Sequence, residues 1–444
     1  MSKALLAAVL FCSTAQARAP LTLPELISLS RSNPGIEAAR ESLGGFEARM
    51  AEAKRAWIPQ GTVNFLTAPA PRVDCSPGEA NCQTTNVNDS NQFDVAGVFT
   101  RLELRVGMPI YTFGKISGAQ DAAAAGVDAG RAQLDAARLQ VINDVTRAYQ
   151  GVKVAREILH TIAEGRDYMD KAMAKIEEDI EAGQGDATET DRLRLKVLTA
   201  EVDARTIEAK SLAELGLAAL RVLVPDAPRD LDVDDMPLTA IEKEPRPLAY
   251  YVELARAGRP EVRALNAGLT ARKALEDVEY ARMFPDLALV GTLNWANATS
   301  VDDPDNFFYN DPFNGFSAGI GALLTIPLDY GLKLARLDRA QAERREMEAR
   351  RRQALGGIGL EIERAYAQLQ EARARMVVSK GGERAARAWL VATYQNLMLG
   401  LVEPKELTDA LLAFFTLRLR SLQAVYDVNA GWTSLGRSVG TTDL

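Results

Sequence analysis

The stretch Thr100-Arg101-Leu102-Glu103-Leu104-Arg105-Val106-Gly107-Met108 decides how this chain folds. Leu102, Leu104, Val106 and Met108 take alternate positions, with Arg101, Glu103 and Arg105 between them. A strand turns successive side chains to opposite faces, so the run sets an apolar face against a charged one. Half-buried soluble strands alternate in the same way. Its length, about 9–11 residues, is also the span of a tilted transmembrane strand. Phe316, Ala318, Ile320, Ala322 and Leu324 form a second apolar face, with the small Ser317, Gly319 and Gly321 opposite. Tyr111, Trp295 and Phe316 stand at strand ends, where membrane barrels carry an aromatic girdle.

The alternating runs come in two pairs. Residues 60–68 and 98–110 flank a polar loop, as do 286–295 and 316–327. The pairing belongs to a duplication of the whole chain. Pro34 and Pro59 are answered by Pro260 and Pro285; Arg147-Ala148-Tyr149 is answered by Arg364-Ala365-Tyr366, and Gly183 by Gly400. Each copy opens with helix. In the first, Thr22-Leu23-Pro24-Glu25 supplies an N-cap, a proline and a back-bonding glutamate, and Pro34 to Trp57 continues helically. After the strands comes a long proline-free segment, Lys115 to Glu181 and again Leu332 to Met398, with apolar residues at helical spacing. At about 1.5 Å per residue each makes a rod of roughly 100 Å. Both rods reverse at a glycine into a return helix, capped by Asp186 with Glu189 three on in the first copy and started by Pro404 in the second. So slender a hairpin has no core of its own and is expected to pack as a coiled coil.

The expected plan is therefore a signal peptide over 1–17, a first repeat over 18–224, a linker or equatorial segment over 225–247, a second repeat over 248–437 and a tail over 438–444. The first repeat holds a β-hairpin at 60–110 with an external loop at 69–97, and a helical hairpin at 115–223 with its tip at 183–186. The second holds a β-hairpin at 286–327 with a loop at 297–315, and a helical hairpin at 332–437 with its tip at 399–404. Lys3, the apolar run to Cys12 and the small residues ending at Ala17 carry the signal-peptide reading, which makes the mature chain an exported one. Phe11 before Cys12 disfavours lipidation of that cysteine. Cys75 and Cys82, seven apart in a Pro/Gly/Asn-rich stretch, suit a loop disulfide in an oxidising compartment; two free loop thiols are the alternative.

Composition narrows the function. The chain of 444 residues carries a formal charge of −8, one histidine and three cysteines. The charge disfavours a nucleic-acid surface, and His160 and the cysteines are too few for a multi-His or four-thiolate metal site. No nucleophile–base pair or phosphate loop is present, so neither an enzyme nor a cofactor is expected, and there are no catalytic candidates. The mean hydropathy is slightly negative and no apolar run reaches the ~18–20 residues of a membrane helix, which describes a soluble protein just as well. Yet four alternating strands cannot close alone, and an open edge in lipid leaves backbone groups unsatisfied at several kcal/mol each. A membrane reading thus requires an oligomer, of eight strands from two chains or twelve from three. A periplasmic coiled-coil scaffold or adaptor with a soluble β part is the alternative.

The chain resembles the TolC-like outer-membrane efflux proteins, the outer membrane factors of Gram-negative bacteria. The resemblance rests on the duplication, on the strand-exit motif Met108-Pro109-Ile110-Tyr111-Thr112-Phe113-Gly114-Lys115 with its partner Ile326-Pro327-Leu328-Asp329-Tyr330-Gly331, on Arg-Ala-Tyr in each long helix, and on the turns at Gly183 and Gly400. It implies a mainly α fold with a small transmembrane β part. Three chains would share a 12-stranded barrel above an α-helical periplasmic tunnel, as an exit duct for efflux or type I secretion. It further implies an acidic pore constriction at the sixth and ninth residues after the turn glycine, which are Glu406 and Asp409, with Glu189 a weaker candidate. Gly183, Gln184, Leu399, Gly400 and Leu401 would form the tip that meets a periplasmic adaptor (membrane fusion protein) serving an inner-membrane pump of RND or ABC type. The chain departs from the family where a Tyr and an Arg flank the second turn: Leu397 and Val402 stand there. His160, Arg350-Arg351-Arg352 and Phe307-Phe308-Tyr309 are read as solvated or loop-packing residues.

Overall fold

A computed structural model describes residues 20–71, 95–183, 187–301 and 313–442. The signal segment, Cys75 and Cys82, Gln184 and Phe307-Phe308-Tyr309 lie outside the described residues. The order of elements is α1 (Leu23–Leu29), a 3-10 turn (Ser30–Ser32), α2 (Pro34–Arg55), β1 (Gln60–Pro71), β2 (Val95–Tyr111), α3 (Lys115–Ala182), α4 (Glu189–Leu223), α5 (Leu248–Gly258), α6 (Pro260–Ala281), β3 (Asp286–Ala298), β4 (Gly315–Thr325), α7 (Tyr330–Met398) and α8 (Pro404–Val439). The duplication is visible in this order: two helices, a β-hairpin, a long helix and a return helix occur twice.

The strands run longer at their loop ends than the sequence suggests, to Pro71, from Val95 and to Ala298, because ladder pairing continues past the alternating residues. β4 stops at Thr325, before Pro327. The opening helix of each copy breaks at Asn33 and Arg259. The residue before a proline is pushed out of the α region, and both caps sit near φ −59° with extended ψ.

The chain divides into two compact units, one of residues up to 41, 132–263 and 353 onward, the other of 42–131 and 264–352. In the first, α3 and α4 do not pack as an isolated pair. Ile162, Met169 and Ile176 of α3, Leu195, Leu198 and Val202 of α4, Leu390 and Leu397 of α7, and Leu407, Leu411 and Phe414 of α8 form one apolar cluster, so the two hairpins share a core. A second cluster joins α5, α7 and α8 around Ile362, Leu369, Val428 and Trp432. The Pro/Asp-rich segment 225–247 is no loose linker. Leu231 and Val233 are buried, and Val233 bridges Leu21. Asp234 accepts hydrogen bonds from Tyr149 and Lys153 of α3, and Asn429 of α8 clamps the segment by accepting from the Ile241 N–H (2.9 Å) and donating to the Thr239 carbonyl (2.9 Å). The tail is shorter than expected: α8 runs to Val439, and Gly440 at φ 90° ends it.

The other unit holds one four-stranded antiparallel sheet in the order β1-β2-β3-β4. The hairpins β1–β2 and β3–β4 are joined by pairing of β2 with β3, which leaves β1 and β4 as edges.

A candidate membrane-spanning sheet and a candidate tip constriction

The register carries the alternation of β2 across every strand. Phe65, Leu102, Trp295 and Phe316 form one cross-strand row; Val63, Leu104, Leu293 and Ala318 form the next on the same face, followed by Gly61, Val106, Gly291 and Ile320. The opposite face carries Asn64, Glu103, Asn294 and Ser317 in one row and Thr62, Arg105, Thr292 and Gly319 in another. One face is apolar across four strands, and Val63, Phe65, Trp295, Phe316, Ile320 and Leu324 on it are exposed in the single chain. A large exposed apolar face marks an interaction surface.

Aromatic rings bound this face at both ends. Phe65, Trp295 and Phe316 share the row that ends the apolar run, beyond which Thr67, Thr100 and Asn297 follow on the same face toward the loops. At the helix end, Tyr111, Phe113, Phe284 and Tyr280, in that order, form a chain of ring contacts at centroid distances of 4.7, 5.6 and 5.4 Å. From Leu102 to Tyr111 is about 30 Å along a strand at ~3.3 Å per residue, or about 23 Å at a barrel's tilt, close to the ~25 Å apolar band of outer-membrane barrels. Phe65, Tyr280 and Phe284 are not singled out by the sequence. Val63 and Phe65 continue an alternation that was legible, whereas Tyr280 sits in a helix whose contacts only tertiary structure reveals. The strand-exit motif has a physical reading here. Phe113 at φ 50° and Gly114 at φ 95° turn the chain from β2 into α3, and Lys115 then reaches Asp286 (2.7 Å) and the Phe284 carbonyl (2.9 Å).

At the hairpin ends, Gly183 (φ 62°) and Gly400 (φ 70°) occupy the left-handed region that L side chains avoid. Around Gly400 the Leu401 N–H donates to the Asn396 carbonyl (2.9 Å) and the Gly400 N–H to that of Leu397 (2.9 Å), the paired bonds of a Schellman turn. Leu399 and Leu401 are 71% and 69% exposed. Val402 packs against the shared core, and Leu397 is 3% exposed within it. The second turn is therefore anchored by apolar packing at the two positions where the resemblance leads one to look for a Tyr and an Arg.

The return helix α4 is capped by Thr188; Asp186, the expected cap, lies outside the described residues. Thr188 Oγ1 accepts from the Asp191 N–H (3.3 Å), and the Asp191 carboxylate accepts from the Thr188 N–H (3.1 Å) and hydroxyl (2.6 Å). Glu189 is the first helical residue. The Arg192 Nε donates to Glu189 at 2.8 Å and holds its carboxyl below the usual carboxylate range. Glu406 and Asp409 differ. They lie one turn apart on the exposed face of α8, and among the described residues neither forms an ion pair. Asp409 lines a groove between α4 and α8 with Thr190, Leu193, Val197, Thr408 and Leu412. The three candidate carboxylates thus divide into one compensated charge and two uncompensated ones.

His160 is exposed, Arg350 pairs with Glu346 (2.5 Å), and Arg351 donates to Asn266 (2.7 Å). Among the described residues no cluster of three or more His, Cys, Asp or Glu is placed to hold a metal ion, and no helix is long and apolar enough to cross a membrane.

The sequence matches the family described as "Outer membrane efflux protein" over residues 29–224 and 251–441. It is 32% identical over 273 residues to Protein CyaE of Bordetella pertussis, an alignment covering 58% of this chain and 54% of that protein, so the chain spans about half the length of this relative. The fold is that of the outer-membrane channel OprN (21% identity, TM-score 0.74, covering 94% of this chain and 89% of that chain) and of the outer membrane protein VceC from Vibrio cholerae (18% identity, TM-score 0.74, 94% and 96%).

Proposed function

Because this chain belongs to the outer membrane efflux protein family, we propose that it is the outer-membrane exit duct of an efflux or type I secretion machine. Three copies close one twelve-stranded barrel, a periplasmic adaptor docks at the hairpin tips, and an inner-membrane pump, of RND or ABC type, supplies the driving force. The duct is passive and performs no catalysis.

The observation that carries this reading is the sheet. Its apolar face spans all four strands between two aromatic belts, and among the described residues both of its edges are unpaired. In hydrocarbon each unpaired edge group costs several kcal/mol, so β4 of one chain is expected to pair with β1 of the next until the ring closes. With three chains assembled, Glu406 and Asp409 place six uncompensated carboxylates at the tips, an arrangement that favours cations. The exposed Leu399 and Leu401 offer an adaptor the apolar contact that a solvated turn does not need.

Planar-bilayer recording tests the proposal. Purified protein extracted from outer membranes is expected to give stepwise, cation-preferring conductance; a freely soluble periplasmic monomer without conductance would support the scaffold alternative.

A further inference from the structure

The polar face of the sheet carries few charges. Among the described strand residues its ionisable groups are Arg101, Glu103, Arg105 and Asp286, and Asp286 is matched by Lys115 at the strand base (2.7 Å). Two guanidiniums and one carboxylate remain, all on β2. Glu103 stands 3.7 Å from each arginine and cannot neutralise both. Their cross-strand neighbours are uncharged: Thr62, Thr292 and Gly319 beside Arg105, Asn64, Asn294 and Ser317 beside Glu103, and Leu66, Ala296 and Gly315 beside Arg101. Arg101 lies over the ring of Phe99 with its guanidinium carbon 5.3 Å from the centroid, a contact that holds it on this face. Arg105 is the most open of the three, 68% exposed against 39% for Arg101 and 23% for Glu103.

We propose that Arg101 and Arg105 form a basic belt inside the barrel that binds anionic groups, carboxylates or phosphates, of the solute in transit. The belt rests on the three-chain barrel proposed above, in which the apolar rows meet lipid and the face bearing Arg105 meets the lumen. Three copies then bring six guanidiniums against three carboxylates within about 13 Å of strand height. A narrow pore with low-dielectric walls focuses such a field and concentrates anions in it. The planar guanidinium fork matches carboxylate and phosphate oxygens two at a time, and Arg keeps its charge at any working pH. The belt stands at mid-height of β2, on the sheet, whereas the candidate carboxylates Glu406 and Asp409 stand at the hairpin tip.

The test is block of single-channel current by inorganic tripolyphosphate added to either side of a bilayer holding the full chain. For the unmodified protein, block is expected at lower concentration from the loop side than from the tip side. R101Q/R105Q is expected to raise the half-blocking concentration at least about tenfold and to shift the reversal potential further toward cations. R105Q alone, the milder variant, is expected to raise it about threefold, and R101K/R105K to retain most of the block. Channels of normal conductance whose block and selectivity are unchanged in both Gln variants would overturn the belt and leave the duct standing. An unmodified protein that forms no channel would overturn the duct itself, and the belt with it.

Discussion

Gly165 of α3 shows how tightly the tip core is specified. A β-carbon there would overlap the ring of Phe415, which lies across the glycine backbone. Gly165→Ala is therefore expected to lower stability by about 1–3 kcal/mol through overpacking, read as a fall in the thermal midpoint, whereas the same change at the open Gly151 costs nothing of this kind. The two uncompensated carboxylates carry a prediction of another sort. Replacing Glu406 and Asp409 together by Ala is expected to reduce cation selectivity and weaken divalent-cation block, and Glu189→Ala to change both less, because Arg192 already balances Glu189. Reversal potentials in asymmetric salt measure the selectivity, and the half-blocking concentration of a divalent cation measures the block.

Among the elements, the segment 225–247 departs furthest from its sequence. Prolines and aspartates read as a linker or equatorial segment, and Asp234 within it is fixed to Lys153, a residue only 5% exposed, and to the Tyr149 hydroxyl. Burial pushes the Asp234 carboxyl up, but hydrogen bonds from Lys153, Tyr149 and the Met236 backbone outweigh it and hold the carboxyl below its ordinary range. Burial and the same carboxylate push the Tyr149 phenol above its own. Asp234→Asn leaves the Lys153 ammonium buried without a counter-charge and is expected to cost about 3 kcal/mol at neutral pH in urea unfolding. A carboxyl with a depressed folded pKa stabilises above its unfolded pKa and loses that contribution as pH falls through the folded value. The difference between the two proteins is accordingly expected to shrink below about pH 4.

Periodicity and punctuation are local, which is why the strands, both long helices and both turn glycines were legible in residues such as Leu102, Leu104, Gly183 and Gly400. The partner of Asp234 lies some eighty positions away and leaves no local signal. The cap of α4 was ambiguous for a different reason: Asp186–Glu189 and Thr188–Asp191 both satisfy the same pattern in sequence, and the helix is capped at Thr188. Of the candidate site, Glu406 and Asp409 rest on the family resemblance, which places the acidic residues six and nine positions past the turn glycine. That they are free of ion pairs while Glu189 is not could be learned only from side-chain geometry.

On the scale of the whole molecule, average composition describes the helices. The lipid-facing rows are spread over alternate residues of four short strands, so neither mean hydropathy nor a search for apolar helices detects them. The unpaired edges of β1 and β4 make the single chain incomplete in a membrane, and closure by further copies is the central claim. Native mass spectrometry of the complex extracted in detergent from outer membranes tests it most directly: the account predicts a complex of three chains, and a monomer recovered without detergent, or a closed complex of two chains, would contradict it.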